Sequence, residues 1–190
     1  MKILTIVLLA TLSSKVLVGQ DLRGYHRHIG MVDSTSYVAI MTNKYRKATS
    51  GSGDHVTLID TRTGTTRALE LPDPISIHGV WLNNAGRHRG ERFIVITAST
   101  GVNNRGKVTW SAPTALFICP LEGGPAVQIS PEGTSVMDWE IQRTTNKMVM
   151  TATKDTNRNG KLDNDDDIFV LLYDLESGAV KDIPLGAPPQ

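Results

Sequence analysis

The chain has one cysteine, Cys119, in 190 residues. It therefore cannot form an internal disulfide, although export would permit one. No cysteine stands near the N-terminus either, which excludes lipid attachment at a signal junction. Within TALFICPL, Cys119 reads as a small buried hydrophobe rather than a reactive thiol. An excess of one charge is also lacking, since 20 Lys and Arg balance 19 Asp and Glu for a net charge of +1. With no long basic run, there is no global pull toward nucleic acid or an anionic membrane. Helical periodicity is nearly absent. Enzyme signatures are thin too: His26, His28, His55, His78 and His88 include one His-x-His pair, but no third ligand stands at a recognisable metal spacing. No nucleophile elbow, phosphate loop or HExxH motif occurs.

One long apolar stretch is present, at the start. MKILTIVLLATLSSKVLVGQ places Lys2 before an apolar run from Ile3 to Ala10, followed by small and polar residues. That order predicts a secretory signal peptide over 1–19, with cleavage before Gln20 and Gly19 at the last signal position. A spanning helix needs about twenty apolar residues, and Ser13, Ser14 and Lys15 interrupt this segment. The expectation is a secreted or periplasmic protein with no transmembrane segment after cleavage. Its remaining residues, 20–190, suffice for one domain with a sizeable core.

The chain repeats itself. HVTLIDTRTGTTRALEL, TALFICPLEGGPAVQIS and DIFVLLYDLESGAVKDIPL share one order: an apolar β-rich run, a turn containing Gly64, Gly123 or Gly178, then an alternating return run. The step from Gly64 to Gly123 nearly equals the step from Gly123 to Gly178. Upstream of each hairpin lies another apolar strand, YVAIMT, RFIVITAS or KMVMTAT, in which Val38, Ile94 and Val149 recur at the same nearly constant interval. Before these come IGMV, SIHGVWL and SVMDWEI, so each unit reads as four strands, over about 27–72, 76–131 and 135–186. Trp81 and Trp139 hold equivalent places, where a large aromatic packs between neighbouring sheets or stacks on a ligand. Tandem four-stranded antiparallel units predict an all-β protein with propeller-type blades; a β-sandwich is the structural rival.

WLNNAGRHRGERFIVITAS running on to ALFICPLEGGPAVQIS, and DWEIQRTTNKMVMTAT running on to IFVLLYDLESGAVKDI, resemble the TolB-like β-propellers with their WD40-like repeats. The resemblance covers residues from about Gly30 to Leu185, and the SPDG-type turn of that family is replaced by LNNAG and QRTTN. It implies blades of a six-bladed ring, of which three blades are half. A homodimer completing the ring, a fragment of a longer chain, and a different β architecture all remain open. Metal-dependent lyases acting on acidic oligosaccharides occur among such propellers, so a lyase or hydrolase on oligosaccharides is the enzymatic alternative to a binding module.

The strongest chemical signal is a twelve-residue stretch, 155–166, that fits a calcium loop. Asp155, Asn157, Asn159, Asp163 and Asp166 place side-chain oxygens at positions 1, 3, 5, 9 and 12. Lys161 at position 7 offers its backbone carbonyl, Gly160 permits the sharp turn and Leu162 anchors the loop to the core. Calcium takes about six to eight oxygens, and three carboxylates offset its charge. Position 12 is Asp rather than Glu, as in dockerin-type repeats, which this segment resembles. The flanks are β-rich, so the expected role is a structural clamp rather than a sensor that opens a helix pair. The connections between the second and third strands, containing NKYRKATSGSGDH, STGVNNRGKVTWSAP and the calcium loop, read as the longest in the chain. Lys44, Arg46, Lys47, Arg105 and Lys107 are candidate contacts for acidic groups on a protein or polysaccharide partner, and Trp110 a candidate platform for a sugar ring.

Overall fold

A computed structural model describes residues 24–32, 34–44, 54–72, 75–82, 87–101, 112–159, 162 and 165–184. The expected signal segment, 1–19, lies outside the described residues. Twelve strands and no helix occur among the described residues, so none of these residues forms a helix long and apolar enough to cross a membrane. They form three four-stranded antiparallel sheets in simple meander order. Sheet I holds β1 (Gly24–Met31), β2 (Tyr37–Lys44), β3 (Asp54–Asp60) and β4 (Thr66–Ala68). Sheet II holds β5 (Ser76–Trp81), β6 (Phe93–Ser99), β7 (Thr114–Pro120) and β8 (Val127–Gln128). Sheet III holds β9 (Thr134–Gln142), β10 (Lys147–Lys154), β11 (Ile168–Asp174) and β12 (Val180–Ile183). No sheet closes on itself.

The sheets stack face to face. Side chains in a strand alternate between faces, so the outer sheets can bury one face and expose the other, whereas β6 and the interior of β7 are buried on both. Ile94, Ile96, Phe117 and Cys119 pack against Ala39, Met41, Val56 and Leu58 of sheet I. Phe93, Val95, Leu116 and Ile118, on the opposite face, pack against Met148, Met150, Leu171 and Tyr173 of sheet III. This double burial explains the continuous apolar runs FIVITA and ALFIC, which carry no alternation. Burial pushes the Cys119 thiol up to about 12, as suits a hydrophobe in the core.

The repeat is written in hydrogen bonds. Thr61 N–H donates to Ser36 O, Leu121 N–H to Arg92 O, and Leu175 N–H to Asn146 O, at 2.9, 2.9 and 3.1 Å. Each first strand carries a bulge, at Arg27, His78 and Met137. The central hairpins close with four-residue loops, 61–64, 121–124 and 175–178, whose last residue is Gly64, Gly124 or Gly178 at φ 71, 99 and 77. Glycine takes this left-handed conformation without a Cβ penalty. Gly64 and Gly178 also donate to Asp60 O and Asp174 O at 2.8 Å. The Asp174 carboxylate is held far below its usual range by the Lys147 ammonium and the Ser177 and Glu176 amides.

Two equivalences expected from the sequence shift by one residue. The pairings Tyr37↔Asp60, Phe93↔Pro120 and Lys147↔Asp174 align Val38 and Ile94 with Met148, not Val149, and Gly64 and Gly178 with Gly124, not Gly123. A one-residue slip moves a side chain to the opposite face. Met148 is 0% exposed and Val149 38%, so the two cannot stand in for each other. The connection lengths also differ from expectation. Between β5 and β6 lie residues 82–92, more than the 45–53 between β2 and β3, so the second-to-third connections are not uniformly the longest.

Candidate functional site

All three second-to-third connections leave the stack on one side. The start of β3 clasps the start of β5: Asp54 N–H donates to Ile75 O at 3.0 Å, and Ile77 N–H to Asp54 Oδ2 at 2.7 Å. The start of β7 clasps the start of β9 equivalently, Thr114 N–H donating to Ser135 Oγ at 3.1 Å. Since Ser76 pairs with Ser99 and Thr134 with Lys154, the ends of β2, β6 and β10 sit together. The β2–β3, β6–β7 and β10–β11 connections therefore share one side of a rigid scaffold.

The described residues of the third connection are tied to one another by their own side-chain oxygens. Asp155 Oδ1 and Asn157 Oδ1 both accept from Asn159 N–H, at 3.0 and 2.9 Å, so one amide draws the two oxygens together. Two oxygens that converge on one donor can also converge on one ion, at about 2.3–2.6 Å each. At the far end of the loop Asp166, 8% exposed, folds back onto the start. Its Oδ1 accepts from Thr156 N–H at 2.9 Å, Thr156 Oγ1 at 3.3 Å and Asn157 N–H at 3.5 Å. Thr156 Oγ1 in turn accepts from Asp167 N–H at 3.1 Å. Burying a carboxylate is costly unless donors or a cation compensate it, and the loop start supplies the donors. Asp155 and Asn157 thus share one donor and Asp166 returns to the amides beside them, an all-oxygen set of the kind a hard cation takes, although no three Asp, Glu, His or Cys side chains gather as a metal group among the described residues. Lys161 and Asp163 lie outside the described residues.

Sequence inspection missed a second polar group on the same side. Asp54 is buried beside His78, whose Nε2 lies 2.8 Å from Ser99 Oγ. An acid, a histidine and a serine in proximity suggest nucleophile activation, but the proton count speaks against it. Ser99 is fully buried and its single hydroxyl proton goes to Ala112 O at 3.0 Å. His78 Nε2 must then be the donor, and a donor cannot take the serine proton. Burial lowers the His78 pKa and the Asp54 charge opposes that shift. The group ties the start of β5 to the start of β3 and the end of β6. His78 stands two residues beyond Ser76, the partner of Ser99, and is the bulged residue of β5; a bulge is not visible in SIHGVW.

At the opposite end of the stack, His88 is buried between sheets II and III. Its Nε2 lies 2.9 Å from Tyr173 Oη, with the rings stacked at a 6.0 Å centroid distance. Burial, with Arg89 adding to it, pushes the His88 pKa down. Trp81 and Trp139 pack across the same two sheets, edge to face with centroids 5.1 Å apart. Gly79 makes room, because a Cβ there would stand 2.4 Å from the Trp81 ring.

The candidate ligand contacts Arg46, Lys47, Arg105, Lys107 and Trp110 lie outside the described residues, and Lys44 is described only as the last residue of β2. Neither a family model nor a curated protein matches the chain.

Proposed function

We propose that the chain is an exported, calcium-stabilised β-sheet module of propeller type, which binds a protein or envelope polysaccharide on the side where its second-to-third connections emerge. The observation that carries this reading is that the strand ends from which three equivalent connections depart lie on one side of a doubly packed core. Loops held together by a rigid scaffold are where binding residues concentrate. Basic residues stand at two of these connections, Lys44 at the end of β2 with Arg46 and Lys47 after it, and Arg105 and Lys107 in the second, with Trp110 close by in sequence. Such a set suits acidic groups and a sugar ring.

Calcium would be held by side-chain oxygens of Asp155, Asn157, Asn159, Asp163 and Asp166 and the Lys161 carbonyl. Bound there, it supplies fixed positive charge that ties the end of β10 to the start of β11. Extracellular calcium is abundant enough to fill even a modest site. The test is titration with an acidic polyuronate and a neutral glucan of matched length. Binding of the polyuronate should weaken at least about tenfold in a Lys44→Glu, Arg46→Glu, Lys47→Glu variant and fall with added salt. Equal affinity of the variant, or no preference for the acidic polymer, would remove the polysaccharide reading.

A further inference from the structure

The stack has a direction. In sheet I the forward face, with Ala39 and Leu58, packs on sheet II; in sheet II the register-equivalent face, with Val95 and Ile118, packs on sheet III. Each forward face meets a backward face of the next sheet: Ile94 and Ile96 in sheet II, Met148 and Met150 in sheet III. Two faces are left over. The forward face of sheet III carries Val149, Val170 and Leu172, and the backward face of sheet I carries Val38, Ile40 and Ile59. Both are apolar at these positions, as are the faces already joined inside the chain.

Exposure marks them as unused copies of those joints. Met31 is 79% exposed, whereas Leu82, which continues β5 at the same register, is 7% exposed in the core. Val149 is 38% exposed, while its equivalents Ala39 and Val95 are 2% and 0%. Soluble proteins rarely leave contiguous apolar faces open. The first joint also carries a polar link, which the second lacks, since Val127 stands opposite Ile118 where Arg67 stands opposite Leu58. Arg67 on β4 donates to Leu121 O at 2.6 Å and Pro120 O at 3.3 Å, pinning sheet I to the turn of sheet II. Lys181 holds the same register on β12, opposite Leu172 as Arg67 is opposite Leu58. On a following sheet I it would meet the turn carbonyls of the partner subunit's Asp60 and the partner subunit's Thr61.

We infer that two copies of this chain stack head to tail, sheet III of each on sheet I of the other, closing a ring of six sheets. A head-to-tail joint either closes into a ring or runs on as a filament. Radial stacks close with about four to eight sheets. Among the described residues one copy has three sheets, so two copies give six, within that range.

Sedimentation velocity at low micromolar concentration tests this on the purified full chain. The wild type should sediment at twice the chain mass. Met31→Asp and Val149→Asp, on opposite outer faces, should each raise the dissociation constant at least about a hundredfold, because each buries an unpaired carboxylate at the joint. Both positions are exposed in one copy, so both variants should keep the wild-type far-UV spectrum. An equimolar mixture of the two should recover a dimer through its one intact joint. A folded wild-type monomer would overturn the inference and leave the faces to some other partner. Dissociation by only one of the variants would overturn it in favour of same-face pairing, and open-ended oligomers would overturn ring closure. None of these results bears on the ligand-binding side.

Discussion

Replacing Asp166 with asparagine separates the two tasks its carboxylate performs. One is to accept from Thr156 N–H and the neighbouring donors; the other, in the proposed clamp, is to contribute charge to calcium. Asparagine keeps an oxygen for the Thr156 amide, so only the difference between a charge-assisted and a neutral hydrogen bond is lost, about 1 kcal/mol. Alanine removes the acceptor of the part-buried Thr156 bond and should cost about 1–2 kcal/mol. Calcium at a hundred times its dissociation constant adds about 2.7 kcal/mol if the unfolded chain does not bind it. For a domain of this length each kcal/mol moves Tm by about 2–4 °C. Wild type should therefore melt about 5–11 °C higher in saturating calcium than in chelator. Asp166→Asn should lose most of that shift while melting only about 2–4 °C below wild type in chelator. Calorimetry of both proteins under both conditions decides it. No calcium shift in wild type, or the same shift in Asp166→Asn, would refute the clamp.

Two other perturbations probe the core and the buried histidine. Phe117, 1% exposed where sheets I and II meet, should cost about 3–5 kcal/mol as alanine, read from urea midpoints at unchanged slope; a loss below about 1 kcal/mol would contradict the double burial of sheet II. His88 has its pKa depressed by burial, with Arg89 lowering it further and Glu91 and Glu176 opposing, beside the Tyr173 hydroxyl. Its unfolded form therefore binds the proton first, and stability is lost as pH falls from the ordinary histidine value of about 6.5 toward the lower folded value. Melting of wild type between pH 7.5 and 5 should be steeper than that of His88→Gln, and equal slopes would show that His88 does not titrate differently on unfolding.

The strands and their grouping into fours were legible because β-rich apolar runs separated by glycine turns constrain local structure strongly. Register was less so. In KMVMTAT both Met148 and Val149 are apolar, and hydropathy alone cannot say which one faces the core. The answer comes from Lys147 pairing with Asp174, a contact between two separate strands. In the same way LEGGP offers two consecutive glycines, and only a turn of the same length as TRTG and LESG selects Gly124. Bulges escape sequence inspection for a related reason. The bulge at His78 shows only in the pairing of β5 with β6, and the approach of His78 to Ser99 is likewise a property of the pair of strands. At 155–166 the sequence carries a local spacing of side-chain oxygens, and calcium there is a proposal. The return of Asp166 to Thr156 then gives that pattern a geometry.

That one-residue correction also changes what the outer faces mean. Under the uncorrected alignment Val149 would belong with Val38 and Ile94, the backward-facing positions, and the two open faces of the stack would be copies of one another. Such faces could only pair like with like. With Met148 in that place, Val149 joins Ala39 and Val95 on the forward side, and the open faces become complementary. A like-with-like joint leaves the other face of each copy exposed, whereas a complementary joint covers both once two copies close. The choice between these assemblies thus rests on the Lys147↔Asp174 register.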